Sequence, residues 1–368
     1  MTETLLPQNA TPLERALEQV VSSEEALLPG IDQILTLKHV TRPSGLMPFL
    51  VYEYGLEVLR PYVNDLHSRL DELRYWAARL RGTHQGVYDG LGFVDYSGEL
   101  IDPPERRRRW AEFQINLDRI RDTKEDLEKI SGIVGLSIPA RSTFRRGVHG
   151  YDVPAAEFSR TRLSGSILSN DSGVRIGGKG PKWSFGRSHE LNHTLTQVEL
   201  TALGIWIAEV PSQQWIDMNI PWHTANFKWS DVAERARRVS LATSLQGMNV
   251  WLRFTNAQGA VIGYRRGICH GVEVALEGYQ FGMDHLKPSL ADPVGVYVFA
   301  RTGFGDGDGH EAAEVAAVFG ASTIDPDKPG KLWLDLHELT GGHAVASQPL
   351  TIPFGETIRE HVQYFMRF

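Results

Sequence analysis

The chain has one cysteine, Cys269, so no internal disulfide can form, and no thiol or histidine stands at zinc-ligand spacing from it. A disulfide-stapled scaffold is excluded, and folding in a reducing cytosol fits. No apolar run approaches the roughly 20 residues that a membrane-spanning helix requires. The opening Met1-Thr2-Glu3-Thr4-Leu5-Leu6 also lacks the basic stretch and apolar core of a secretory signal, so neither membrane insertion nor export by that route is expected. Excess positive charge is missing as well. A net charge of −7 gives no global reason to bind nucleic acid or an anionic membrane. There is no internal repeat, no long low-complexity tract and no Gly-x-Ser-x-Gly elbow. What remains is a globular composition, 42% hydrophobic and 23% charged. Its 368 residues are more than one compact core usually organises, which predicts two or three domains.

The first third reads as helical. Thr11 to Leu28 carries an N-cap at Thr11, Pro12 at the first helical position and Glu14 three residues beyond the cap, and Pro29-Gly30 is expected to end that helix. Between residues 56 and 80, Leu56, Leu59, Val63, Leu66, Leu70, Leu73, Ala77 and Leu80 recur at alternating spacings of three and four. These draw one seam along a long helix that Pro61 kinks or restarts. A second seam runs through Trp110, Phe113, Leu117, Ile120, Leu127 and Ile130, broken by Lys124. Such seams fit two arrangements equally: packing inside one helical domain, or a bundle shared with partner chains. In the second arrangement Leu56, Leu59, Val63, Leu66, Leu70, Leu73, Trp110, Phe113, Leu117 and Ile120 are the partner-binding residues.

After about residue 135 the sequence turns Gly-rich, Ser-rich and β-branched. Strand candidates recur in QVELTALGIWIAEV, NVWLRFTNAQGAVIGYRR, GVEVALEGYQF, GVYVFART, KLWLDLHEL and HVQYFMRF, with a hairpin expected around Asn256-Ala257-Gln258-Gly259. Helices are expected at AERARRVSLATSL and HEAAEVAAVF. The fold class is therefore α+β and multi-domain: a helical domain over 1–98, an amphipathic helix over 99–135, an extended Gly/Ser-rich connector over 136–190, and a β-sandwich-like domain over 191–368.

Enzymatic signals are few. His189-Glu190-Leu191-Asn192-His193 matches H-E-x-x-H, which on a helix brings two imidazoles to one face for zinc and lets the glutamate activate water; Glu209 is the available third ligand. The Thr-rich and β-branched surroundings favour a strand or turn instead, and so an incidental polar segment. Gly173 to Gly180 nearly spells a phosphate-binding loop but puts Gly180 where Ser or Thr should hold magnesium. The loop from Gly303 to Glu311, with Asp306 and Asp308, departs from the calcium pattern at His310 and Glu311, and is read as a loop capping a helix at residue 311. Glu105 with Arg106, Arg107, Arg108 and Arg109 reads as a solvated helix face. Trp206, Trp215, Trp222, Trp229 and Trp251 read as core, with a sugar-binding surface as the alternative. No metal and no cofactor follow from these patterns.

The stretch from Leu5-Leu6-Pro7-Gln8-Asn9-Ala10-Thr11-Pro12-Leu13-Glu14 to Arg15-Ala16-Leu17-Glu18 resembles the start of the phage tail protein I family, named from P2-like phages. Looser matches are Pro43 with Gly45-Leu46-Met47-Pro48-Phe49-Leu50, and Arg79-Leu80-Arg81-Gly82-Thr83 with Leu91-Gly92; they carry the resemblance over about the first 95 residues. It implies a non-enzymatic baseplate wedge subunit of a contractile tail. Such a subunit is made in the host cytoplasm, resides in the virion, and assembles as a hetero-oligomer with a J-type baseplate protein and a lysozyme-like wedge protein. Contacts with tail fibre and sheath-proximal proteins are further expectations, and a carbohydrate-binding or fibre-attachment role for the β region and a zinc hydrolase are the competing readings.

Overall fold

The helix-start signal at Thr11 forms as its residues dictate. In the computed structural model, Thr11 Oγ1 accepts from the Glu14 amide at 3.3 Å, while the Glu14 carboxylate accepts from the Thr11 amide at 2.7 Å. This reciprocal pair satisfies two amides that a helix start leaves open, and α1 (Pro12–Val21) begins there. The structure describes residues 5–21, 24–102, 110–153, 168, 171–204, 229–325 and 331–368. By contacts the chain divides into two units, Met1–Asp95 with Gly132–Ala140, and Tyr96–Ser131 with Arg141–Phe368.

In the first unit, α2 (Glu24–Thr36) runs through Pro29-Gly30, so the expected stop is not made. One proline removes one backbone bond, and the turns beyond it can still form. A π-turn, Leu37–Thr41, closes on Arg42 at φ 37°, whose guanidinium grips Asp71 with two bonds of 2.6 and 2.7 Å. Three shorter helices follow: α3 (Met47–Glu53), α4 (Leu70–Tyr75) and α5 (His84–Phe93). The long seam helix over 56–80 is thus not present. Residues 57–59 make a single 3₁₀ turn, and residues 60–69, which contain Pro61, are turns and irregular backbone. The spacing nevertheless picked the inward residues, since Leu56, Leu59, Val63, Leu66, Leu70 and Leu73 are each at most 9% exposed. Trp76 completes this core, donating Nε1–H to the Gly86 carbonyl at 2.7 Å and meeting Phe93 edge-on.

The second unit opens with β1 (Gly98–Ile101) and β2 (Glu112–Leu117), followed by α6 (Lys124–Ser137), whose last residues count with the first unit, and β3 (Thr143–Gly150). The second seam is therefore corrected, because its core stretch is a strand. Phe113, Ile115 and Leu117 alternate inward at period two, Trp110 is 67% exposed, and Ile120 follows the strand half-buried. The connector over 136–190 is corrected at both ends, since β3 and β4 (Lys182–Thr194) are interior strands; residues 154–167, 169 and 170 of it lie outside the described residues.

Two helices come next, the short α7 (Gln197–Ala202), where a strand was expected, and the 18-residue α8 (Trp229–Gln246), where a helix was. Then β5 (Val250–Thr255) and β6 (Val261–Arg266) form the expected hairpin; Asn256 Oδ1 accepts from the Gln258 and Ala260 amides to shape the turn. The remaining strands are β7 (Ile268–Ala275), β8 (Tyr279–Phe281), β9 (Asp284–Pro288), β10 (Gly295–Arg301), β11 (Glu311–Phe319), β12 (Ser322–Thr323), β13 (Trp333–Leu334), β14 (Leu339–Thr340), β15 (His343–Pro353) and β16 (Ile358–Arg367).

They build a nine-stranded sheet in the order β1-β2-β3-β4-β16-β10-β7-β9-β8 and a five-stranded antiparallel sheet β13-β6-β5-β11-β15. In the larger sheet β2, β3, β4 and β16 run parallel, and α6 makes the crossover between β2 and β3. One hydrophobic core takes Val298, Val362 and Tyr364 from the large sheet, Leu252, Phe254 and Val315 from the small one, and Leu241 and Leu245 from α8. This is a sandwich-like arrangement with helices added, and it begins near residue 98 rather than 191. β11 stands where a helix was expected. Its Ala and Glu residues favour a helix locally by only tenths of a kcal/mol each, which is small beside burying both faces between β5 and β15.

Candidate functional site

His189 and His193 lie on β4, in register with Val362 and Met366 of β16. A strand rises about 3.3 Å per residue, so the two imidazoles stand roughly 13 Å apart rather than one helical turn. Each is held by its own carboxylate. His189 Nε2 lies 2.8 Å from Glu360, and His193 Nε2 lies 3.0 Å from both oxygens of Glu199. Glu190 points to the opposite side of the strand and accepts from the Gly282 amide at 2.8 Å. The pattern therefore does not converge on one ion. Among the described residues no cluster of three or more metal-ligating side chains occurs; Glu209 lies outside them.

The other motifs also resolve into packing. Val174 pairs with Trp183 through two backbone bonds of 2.9 and 2.8 Å, Ile176–Gly178 makes one 3₁₀ turn, and β4 follows where a phosphate loop needs a helix. Asp306 accepts from Arg265 at 3.0 Å and from the Gly303 amide at 2.6 Å, and Glu311 opens a strand, so the loop caps no helix. Trp251 is core, packed with Val318, Ala321 and Leu334. Trp206, Trp215 and Trp222, the side chain of Trp229, and the run from Glu105 to Arg109 fall outside the described residues.

The segments that carry the family resemblance have legible physical roles. Glu18 accepts from the Leu5 amide at 2.7 Å, and Arg15 donates to the Gln8 carbonyl at 3.0 Å, which folds residues 5–11 back on α1. Around Gly82, at φ 85°, the amide donates to the Ser137 carbonyl at 2.7 Å and Arg81 Nε donates to Leu136 at 2.9 Å, while Thr83 caps α5 by accepting from Gly86. Gly86 approaches so closely that an added Cβ would stand 2.1 Å from the Leu80 carbonyl oxygen.

Apart from Trp110, the exposed apolar surface of the helical region lies elsewhere than the two seams. On α1, Leu13, Leu17, Val20 and Val21 are 71%, 53%, 83% and 71% exposed, and no residue of that helix is buried. Their i, i+4, i+7, i+8 spacing makes one face. Leu27, Leu28, Ile31 and Ile34 continue the pattern on α2, also exposed. The sequence reading recognised the helix and overlooked this face, although the same spacing rule finds it. The first seam's residues Leu56, Leu59, Val63, Leu66, Leu70 and Leu73 are buried in this single chain, whereas the described apolar residues of α1 and α2 are exposed.

No curated protein and no solved structure matches the chain. Residues 6–141 match the family described as Phage tail protein (Tail_P2_I), which takes the resemblance past residue 95 through β1, β2 and α6. Over its N-terminal region the chain is thus a match to the phage tail protein family, a finding that supports a structural role in a phage tail.

Proposed function

We propose that this chain is a non-catalytic baseplate wedge subunit of a contractile phage-type tail. The observation that carries this reading is the family match over residues 6–141. The apolar faces of α1 and α2 supply the physical means: isolated amphipathic helices leave their apolar area in water, and burial against a partner helix recovers about 25 cal/mol per Å². The partner is a J-type baseplate protein, and a lysozyme-like wedge protein joins the same hetero-oligomer. The β-rich region attaches neighbouring baseplate or fibre proteins. Its hairpins β7-β8-β9 support this, carrying Leu276 and Met283 fully out in solvent beside the edge strand β8.

The test is co-purification with the J-type partner after Leu17→Asp and Val20→Asp. Both positions are solvent-facing, so the fold is expected to persist and the partner to be lost. Wild-type recovery of the partner by this double variant would overturn the assignment.

A further inference from the structure

Arg301 and Arg359 stand on the face of the nine-stranded sheet opposite the shared core. Val298, Ala300, Val362 and Tyr364 point into that core, and Arg301 pairs across the ladder with His361, two residues from Arg359. Aromatic rings wall the group. The Arg301 guanidinium lies 5.3 Å from the Tyr151 ring centroid, the Tyr151 ring lies tilted against His361 at 5.0 Å, and Arg359 lies 4.4 Å over Phe304.

Among the described residues the two guanidiniums make no direct ion pair, and Arg301 Nε and His361 Nε2 are buried without a hydrogen-bond partner. Among the described residues, the carboxylates whose charge reaches Arg359, Asp152 and Asp306, are already engaged in other bonds, and so is the neighbouring Glu360. Asp306 is held by Arg265 and Gly303; Asp152 by Arg146, Ser172 and Ser184; Glu360, on the other face, by Arg187 and His189. Burial pushes the Arg359 and His361 ionisations down, and for Arg359 it outweighs the charges of Asp152 and Asp306. Partly dehydrated guanidiniums with open donors on an aromatic wall favour a planar or tetrahedral anion, since charge-assisted bonds strengthen where water is excluded.

We propose that Arg301 and Arg359, flanked by Tyr151 and His361, form a binding site for an oxyanion, a carboxylate or phosphate group on a small ligand. The two guanidiniums hold its oxygens and the rings cover its flanks. The site belongs to the β-rich region and is independent of the helical docking face.

Calorimetric titration of the full chain with inorganic phosphate, glucuronate and glucose at low ionic strength tests it. Both anions are expected to bind and glucose is not; tighter glucuronate binding assigns an acidic saccharide, and tighter phosphate binding a phosphate group. Arg301→Gln and Arg359→Gln should each weaken binding about tenfold or more. Arg266→Gln, at an exposed position, should leave it unchanged. Because a variant can fail for reasons of folding, the His361 ring resonances of the unaltered protein are followed in the same titration and should shift. Absence of binding by both anions at about millimolar concentration, or unmoved His361 resonances, would overturn the proposal. So would equal affinity in all three folded variants.

Discussion

Glu199 ties three elements together, and its charge should make the β region acid-sensitive in a measurable way. One oxygen accepts from the Thr196 amide at 2.8 Å, the other from the Ala346 amide at 2.8 Å, and His193 reaches both. Ala346 is a non-glycine residue at φ 56°, and its carbonyl accepts from the Tyr364 hydroxyl, so both of its polar backbone groups are fixed. Burial alone would favour the neutral acid. The bonds from His193, Thr196 and Ala346 outweigh it and hold the carboxyl at about 2, against 4.5 for a free glutamate. A folded-state value below the unfolded one means stability that is present above pH 4.5 and lost as pH falls toward 2. At 1.36 kcal/mol per unit, and allowing for a side chain 21% exposed, this amounts to roughly 2 to 3 kcal/mol. Glu199→Gln keeps the shape and removes the charge. Urea unfolding of both proteins between pH 5.5 and 3 should show wild type ahead by that amount at the upper end, with more than half of the gap gone at the lower. Carboxylates common to the two proteins cancel in the difference. A gap that stays constant or widens on acidification would refute the reasoning.

Glu360→Gln withdraws the buried charge that pairs with Arg187 and His189, and should cost about 3 kcal/mol in urea unfolding. Ile115→Ala, at a fully buried position of β2, should cost about 2 to 4 kcal/mol; if residues 112–117 were instead an exposed helix face, the loss would be under about 0.5 kcal/mol. Burial pushes the Cys269 thiol up to about 12, so iodoacetamide at pH 8 should leave the native protein unmodified and alkylate it quantitatively in urea, as read by intact mass.

Where sequence and structure diverge, the cause is local ambiguity resolved by distant partners. Phe113 and Leu117 satisfy both a helical and an alternating pattern, and Ile115 between them decides for the strand, because a helix would turn it to the opposite side. The Ala-rich β11 has no local reason to be extended; β5 and β15 supply one from residues far away in the chain. The six inward residues of the 56–73 seam were readable because three-and-four spacing selects one face, whether or not the turns join into one helix. His189 and His193 matched a metal motif only in spacing, and their actual carboxylates, Glu360 and Glu199, come from another strand and a following helix. The cluster at Arg301 and Arg359 left no sequence signal, since its members lie on three strand ends brought side by side by pairing alone.

The order of the large sheet bears on how the chain could have grown. β2, inside the family-matching segment, pairs with β3, which begins just past residue 141, and β3 in turn pairs with β4 and β4 with β16 near the C-terminus. The β-rich two thirds is thus not a separable bead joined to a finished tail protein. Within the large sheet β2, β3, β4 and β16 form one continuous hydrogen-bonded run, so the family-matching segment supplies the edge on which the later strands β3, β4 and β16 are laid in turn. A fragment ending at Arg141 would bare the edge of β2, and that exposed edge makes such a truncation prone to self-association in a way that cutting between independent domains would not be.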